Sequence, residues 1–275
     1  MHPFWDIAVR PLLDAAEATT VVEVGAERGL TTALLLEWAE ARGGTVHAID
    51  PAPRFDTSAW GLRWGERFQF HRGRSLDLLA GLPPVDVALI DGDHNYFTVS
   101  GELRTLAQVA RGSGRPMPLV IAHDTGWPYG RRDLYYDPAS IPDEHRHDAA
   151  RAGILPGRNE LGEPGLNADL WNATGEGGPR NGVMTAIEDF VDGIGEGCRM
   201  HLLEGMHGLA VLATEGRLEA APKIAAAIDR LDSPEFLRAW AARLETARIE
   251  AEIRSRAKVT ARPVAPPARD RGLLD

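Results

Sequence analysis

Between Leu89 and Phe97 the sequence reads LIDGDHNYF, with Asp91, Asp93 and His94 almost side by side. An apolar run, VDVALI, leads into them, so the first acid stands where a buried strand ends. Charged groups at the lip of a core are costly unless they are paired, ligated or put to work. The next apolar run, MPLVIAHD, ends the same way, in His123 and Asp124. A lone Asp or His in such a place is explained by a loop hydrogen bond or a helix cap. Several at two neighbouring strand ends favour function, and oxygen and nitrogen donors there can hold a divalent metal. Asp91, His123 and Asp124 are the candidate ligands.

A third group sits earlier, in VVEVGAERGLTT. Gly25 lets the chain turn sharply off a strand, and Gly29 lets the loop approach a ligand and start a helix. The helix N-terminus points free N–H groups at the same place. At the end of the following strand, Asp50 can accept both hydroxyls of a ribose. The spacing is G-x-x-x-G, not the G-x-G-x-x-G of a dinucleotide loop. Glu23 and Glu27 add two acids where a diphosphate would need an uncharged approach. A nucleoside with a cationic group fits better, and S-adenosylmethionine carries a sulfonium and an ammonium.

The elements that must position these residues alternate. Strands are predicted at TTVVEV, TVHAID, FQFHRG, VDVALI and MPLVIAHD. Helices are predicted at LTTALLLEWAEARGG, at SLDLLAGL and from Phe97 to about Val109. That alternation implies βαβ units and a parallel, doubly wound α/β sheet. The Gly-, Pro- and Asn-rich stretch 125–180 reads as an active-site insertion with short helical pieces. NGVMTAIEDFVDGIGEG is a helix, RMHLLEGMHGLAVLAT two strands with a turn near Gly205 to Gly208, and two helices follow. Leu237, Trp240, Leu244, Ala247 and Ala251 form a stripe on the last. It reads as packing on the parent domain, with a homodimer seam as the alternative. The divisions are a domain over 1–216, a helical extension over 217–253 and a basic, Pro-rich, flexible tail over 254–275.

The E-x-G-x-x-x-G loop followed by Asp50 resembles the first two motifs of class I S-adenosylmethionine-dependent methyltransferases. IDGDHNYFTVSGEL, followed by a strand ending in HD, resembles the macrocin O-methyltransferase branch and its cephalosporin-hydroxylase-like relatives. The resemblance runs from Val21 to Leu212. It implies a Rossmann-like, mostly parallel sheet closed by a C-terminal strand hairpin. S-adenosylmethionine would lie against Glu23, Gly25, Gly29, Thr31, Asp50, Ser75 and Asp91. Magnesium would sit on Asp91 and Asp124, with Asp93 or His94 as general base. One departure stands out, because His123 occupies the place of the branch's second acid, and imidazole suits transition metals better than magnesium. The resemblance implies methyl transfer to a sugar hydroxyl of an oligosaccharide or glycosylated small molecule. Tyr96, Trp127, Arg131 and Arg132 are the candidates to bind that acceptor; Tyr129, Tyr135 and Tyr136 offer further flat faces for a sugar ring, and the two arginines could instead pair with Asp133 and Asp137. Two other readings are a non-haem iron oxygenase using His94, His123 and one Asp, and a nucleoside-binding module without chemistry.

Composition narrows the partners. With 30 basic and 40 acidic residues the net charge is −10, against a general nucleic-acid binder. Cys198 is the single cysteine, so neither an intrachain disulfide nor a thiolate zinc cluster can form. No run approaches the roughly 20 apolar residues of a membrane span. The expectation is a soluble, cytoplasmic protein.

Overall fold

A computed structural model describes residues 1–260. A seven-stranded sheet runs through the chain as β1 (Thr20–Val24), β2 (Thr45–Ile49), β3 (Phe68–His71), β4 (Val87–Ile90), β5 (Leu119–His123), and a late hairpin. A second sheet holds β6 (Leu134–Tyr135), β7 (Ala149–Arg151) and β8 (Trp171–Ala173). The hairpin is β9 (Cys198–Leu203) and β10 (Leu209–Thr214). The order in the large sheet is β3-β2-β1-β4-β5-β10-β9. The first five strands are parallel, and β10 is antiparallel to both β5 and β9. This is the expected doubly wound sheet with its antiparallel terminal hairpin.

The helices are α1 (Arg10–Ala15), α2 (Leu30–Glu40), α3 (Thr57–Trp64), α4 (Ser75–Leu78), α5 (Tyr96–Gly112), α6 (Val183–Gly193), α7 (Glu215–Ala220), α8 (Lys223–Arg230) and α9 (Pro234–Thr260). Strands β1, β4, β5 and β10 are buried on both faces, as parallel central strands between helical layers must be. On one face Val22, Ala88, Val120 and Ala210 meet Leu103 of α5 and Ile187 of α6. Asn95 starts α5 by accepting the Thr98 N–H at 2.8 Å.

The chain divides into one unit from Met1 to Ser233 and a second that begins at Pro234. Three helices follow the hairpin where two were predicted, and α7 and α8 belong to the first unit. In the second unit α9 carries Arg248–Glu252 and Arg254–Glu250 pairs one turn apart. Leu237, predicted on a packed stripe, is exposed. The helix runs on to Thr260, so the first residues assigned to the tail are helical, and the rest lie outside the described residues. Among the described residues no helix is long and apolar enough to cross a membrane.

The insertion is more ordered than predicted. Besides two 3₁₀ turns it forms the small antiparallel sheet β6-β8-β7. Its organiser is Asp133, fully buried, whose Oδ1 accepts the Tyr96 and Gly182 N–H groups, both at 2.7 Å. Its Oδ2 accepts the Tyr135 hydroxyl at 2.8 Å. One carboxylate thus ties the insertion to the starts of α5 and α6.

Candidate active site

The strand order reverses between β1 and β4, and ligands of open α/β sheets bind at the strands' carboxyl ends beside such a switch. Gly25 leaves β1 there with φ +88°, and a Cβ on it would stand 2.1 Å from the Asp91 carbonyl oxygen. No other residue fits. A cavity of about 640 Å³ opens at this point, lined among others by Gly25, Thr31, Asp50, Ser75, Asp91, Asp93, His94 and Tyr136.

Asp50, at the end of β2, is held before any ligand arrives. Its Oδ2 accepts the Glu27 N–H and its Oδ1 the Ala52 N–H, each at 2.7 Å. Each oxygen keeps a lone pair for a diol. Ser75 faces the same cavity and donates its hydroxyl to Glu102 Oε1 at 2.5 Å. Burial pushes the Glu102 carboxyl up to about 8.

Two residues assigned to the cofactor lie elsewhere. Glu23 is buried within the sheet and accepts the Thr32 hydroxyl at 2.6 Å. Burial raises its carboxyl to about 8, so it offers no negative charge to a cationic ligand at neutral pH. Gly29 packs under Trp60 and Phe55 and does not line the cavity.

Beside the Gly25 turn the ends of β4 and β5 meet. His123 Nδ1 lies 3.1 Å from Asp91 Oδ1 and 2.7 Å from Asp124 Oδ2. His94 Nε2 is 3.3 Å from the same Asp124 oxygen and 4.0 Å from Asp91 Oδ1. Asp124 holds this place with φ +58°, an uncommon backbone for a non-glycine residue at a strand end. The amino group of Met1 donates to Asp91 Oδ2 at 2.6 Å, and Phe4 packs edge-on to His123. Burial opposes charge on His123, yet the Asp91 and Asp124 carboxylates outweigh it and push the imidazole up to about 9. Against the same burial, the neighbouring imidazoles hold Asp91 and Asp124 below the usual carboxylate range. Asp93 differs. Burial raises it, and it accepts the Thr98 hydroxyl at 3.3 Å.

Donor atoms of Asp91, His123 and Asp124 lie within 4.8 Å of one another. A single Nδ1–H of His123 faces two carboxylate oxygens and cannot serve both well. A cation among the three would satisfy all of them, so this donor set fits a divalent metal.

Of the insertion's predicted aromatic faces Tyr129 and Tyr136 stand by His94, whereas Trp127 and the two arginines do not line the cavity. Arg131 forks onto Glu188 at 2.5 and 2.6 Å. Arg132 is fully buried and donates to the carbonyls of Ala173 and Asn159. The Tyr96 hydroxyl donates to Asp189 at 2.8 Å, and Trp127 is partly exposed. None of these four lines the cavity. Tyr136 does, 5.9 Å from the His94 ring, while Tyr129 lies 5.5 Å away. Adjacent Tyr135 points the opposite way into the insertion's own core, as consecutive residues of an extended chain do. Nothing in the sequence distinguishes Tyr136 from its neighbour except that alternation. The Leu134 N–H donates to the His94 carbonyl at 2.9 Å, so the insertion also fixes the His94 backbone. His145 stacks on Phe97, at 4.9 Å between rings, and His147 bonds the Arg180 carbonyl.

Residues 22–125 match the protein family described as a methyltransferase domain. The match runs from β1 to just past the end of β5, and over that stretch the chain is similar to this family. No curated protein matches. Among solved structures, an S-adenosylhomocysteine-bound methyltransferase of Podospora anserina is 14% identical, with 78% of each chain covered and a TM-score of 0.46. A 1,6-didemethyltoxoflavin-N1-methyltransferase of Burkholderia thailandensis is 17% identical over 77% of this chain and 80% of that one, TM-score 0.42. A cofactor-bound protein from MTB is 17% identical over 74% and 77%, TM-score 0.44. At these values the solved structures carry no weight in assigning an activity.

Proposed function

We propose that the chain is an S-adenosylmethionine-dependent O-methyltransferase, assisted by a divalent metal, acting on a hydroxyl of a sugar or glycosylated acceptor. The observation that carries this reading is a single cavity lined by the Gly25 turn, Asp50, Asp91 and His94 together. The methyltransferase-domain match over residues 22–125 supports the donor half.

The sulfonium supplies a methyl carbon already activated towards attack. The chain's own work is to aim a hydroxyl at it and take the hydroxyl proton. Asp50 would hold the ribose hydroxyls. Asp91, His123 and Asp124 would hold the metal, which lowers the pKa of an oxygen bound to it. His94 is suited to be the base. Its ring lines the cavity, with Nε2 3.3 Å from Asp124 Oδ2 and Nδ1 buried without a hydrogen-bond partner. S-adenosylmethionine would supply the methyl group and keep the electron pair of the broken methyl–sulfur bond on sulfur, while His94 would take the proton of the attacking hydroxyl. Asp93 is the weaker candidate, since Thr98 already occupies one of its oxygens. Tyr136, at the cavity wall beside His94, offers the flat amphipathic face a sugar ring would stack on. A vicinal diol could chelate the metal, which favours a carbohydrate over an isolated phenol.

The test is twofold. Calorimetry should show S-adenosylhomocysteine binding in the micromolar range and no NAD binding, and a chelator should abolish methyl transfer while leaving that binding intact. Tight NAD binding would remove the donor assignment. Full turnover in excess chelator would remove the metal. The convergence of His94, His123 and two carboxylates keeps the oxygenase reading as the second one. Oxygen consumption restored by iron but not by magnesium would select it.

A further inference from the structure

The geometry points to a mixed-donor cation site of Asp91, His123 and Asp124 that selects a borderline transition cation, such as Fe²⁺, Co²⁺ or Zn²⁺, over Mg²⁺. The inference rests on the metal part of the reading above and says which class of metal the chain takes.

Three observations support it. First, one donor of the three is an imidazole nitrogen, and it is the central one, 3.1 Å from Asp91 Oδ1 and 2.7 Å from Asp124 Oδ2. Mg²⁺ takes oxygen donors and sheds its waters reluctantly, whereas imidazole raises affinity along the series from iron to zinc. Second, His123 is set in place. Its side chain is only 10% exposed, it ends β5, whose Ala122 pairs with both Ile90 and Ala210, and Phe4 packs against its ring. Its ring is held in this place by the contact with Phe4 and by its bond to Asp124. Third, the donors are sunk in the strand ends: the side chains of Asp91, His123 and Asp124 are 19%, 10% and 7% exposed, and of the three Asp91 lines the cavity. A cation there is held by protein donors on the sheet side, a poor setting for an ion that prefers to keep most of its water.

The experiment reads the metal itself, independently of turnover. Protein stripped with a chelator would be titrated with Co²⁺ by visible absorption and with Mg²⁺ in competition. Cu²⁺-loaded protein would be examined by electron paramagnetic resonance for nitrogen coupling. S-adenosylhomocysteine binding reports that each variant is folded. The expected result is one equivalent of Co²⁺ that Mg²⁺ displaces only in large excess, with nitrogen coupling present. His123→Asp should lose that coupling, weaken Co²⁺ binding at least about tenfold and narrow its advantage over Mg²⁺. Preferential Mg²⁺ binding would overturn the inference and leave metal-assisted catalysis standing. Failure to bind any divalent cation would overturn both and make the cluster a salt-bridged quartet. Nitrogen coupling that survives His123→Asp and disappears in His94→Ala would also overturn it, by making His94 the ligand.

Discussion

The two sides of the cavity are built in different ways. The donor side is local. Gly25, Glu27, Thr31, Asp50 and Ala52 come from one strand–loop–helix–strand passage, and Asp50 is fixed by N–H groups of its own neighbourhood. The reacting side is assembled from afar. Asp91 and His94 follow β4, His123 and Asp124 end β5, and the insertion supplies Leu134 on the His94 carbonyl and Tyr129 and Tyr136 beside its ring. A locally built side tolerates change in the rest of the fold. A side built from distant segments makes the position of one imidazole depend on the insertion. The two sides should therefore fail differently when cut.

The largest effect is expected on the reacting side. His94→Ala should lower kcat by roughly 10²–10⁴ with little change in S-adenosylhomocysteine affinity. Asp93→Asn should cost less. The reverse order would make Asp93 the base and leave His94 an orienting residue. Donor-side damage should appear in binding instead. Asp50→Ala should weaken S-adenosylhomocysteine by about 1.5–3 kcal/mol, the loss of charge-assisted hydrogen bonds to the ribose. If Asp50→Ala lowered kcat at saturating cofactor and His94→Ala weakened cofactor binding, the division between the sides would be wrong.

That division also sets how much the sequence revealed. The five parallel strands and terminal hairpin follow from apolar runs punctuated by glycine, and the donor side follows because its residues are neighbours in the chain. Asp91, His94, His123 and Asp124 were legible because each stands where an apolar run ends, and parallel topology brings β4 and β5 together. Around His94 only the aromatic faces of Tyr129 and Tyr136 were legible. Arg131, Arg132, Trp127 and Tyr96 have the right chemistry, but their partners are distant in sequence, Glu188, Ala173 and Asp189 among them. Glu23 was misjudged for a related reason. Strand alternation shows that a side chain is buried, not that Thr32 waits beneath it as a hydrogen-bond partner.

Buried acids behind the donor side give a smaller effect on stability. Glu102 and Glu23 titrate near 8 in the fold, against 4.5 in an unfolded chain. Between those values the fold retains a proton that the unfolded chain has released, so stability declines as pH rises from about 4.5 to about 8 and then levels. Glu102→Gln should remove its part of the decline, about 5 kcal/mol across the whole window at 1.36 kcal/mol per pKa unit. Denaturant melts at pH 5 and pH 8.5 measure it, and Glu23→Gln should remove a similar part. An unchanged slope in Glu102→Gln would mean that Ser75 faces an ionised carboxylate.

The smallest effect sharpens the comparison most, because it separates two adjacent arginines. Arg131 is an exposed residue paired with exposed Glu188. Such pairs are worth about 0–1 kcal/mol, so Arg131→Ala should melt within that margin of the wild type. It should also leave kcat and the acceptor KM unchanged, because its side chain does not line the cavity. Arg132 is fully buried and spends its donors on backbone carbonyls of the insertion. Arg132→Ala leaves those carbonyls unpaired and should cost about 1–3 kcal/mol per unsatisfied group. Its loss should carry through Asp133 and Leu134 to His94, lowering kcat without touching cofactor affinity. If instead Arg131→Ala raised the acceptor KM while Arg132→Ala stayed silent, the acceptor would approach over the Glu188 surface. The reacting side would then have to be redrawn around α6.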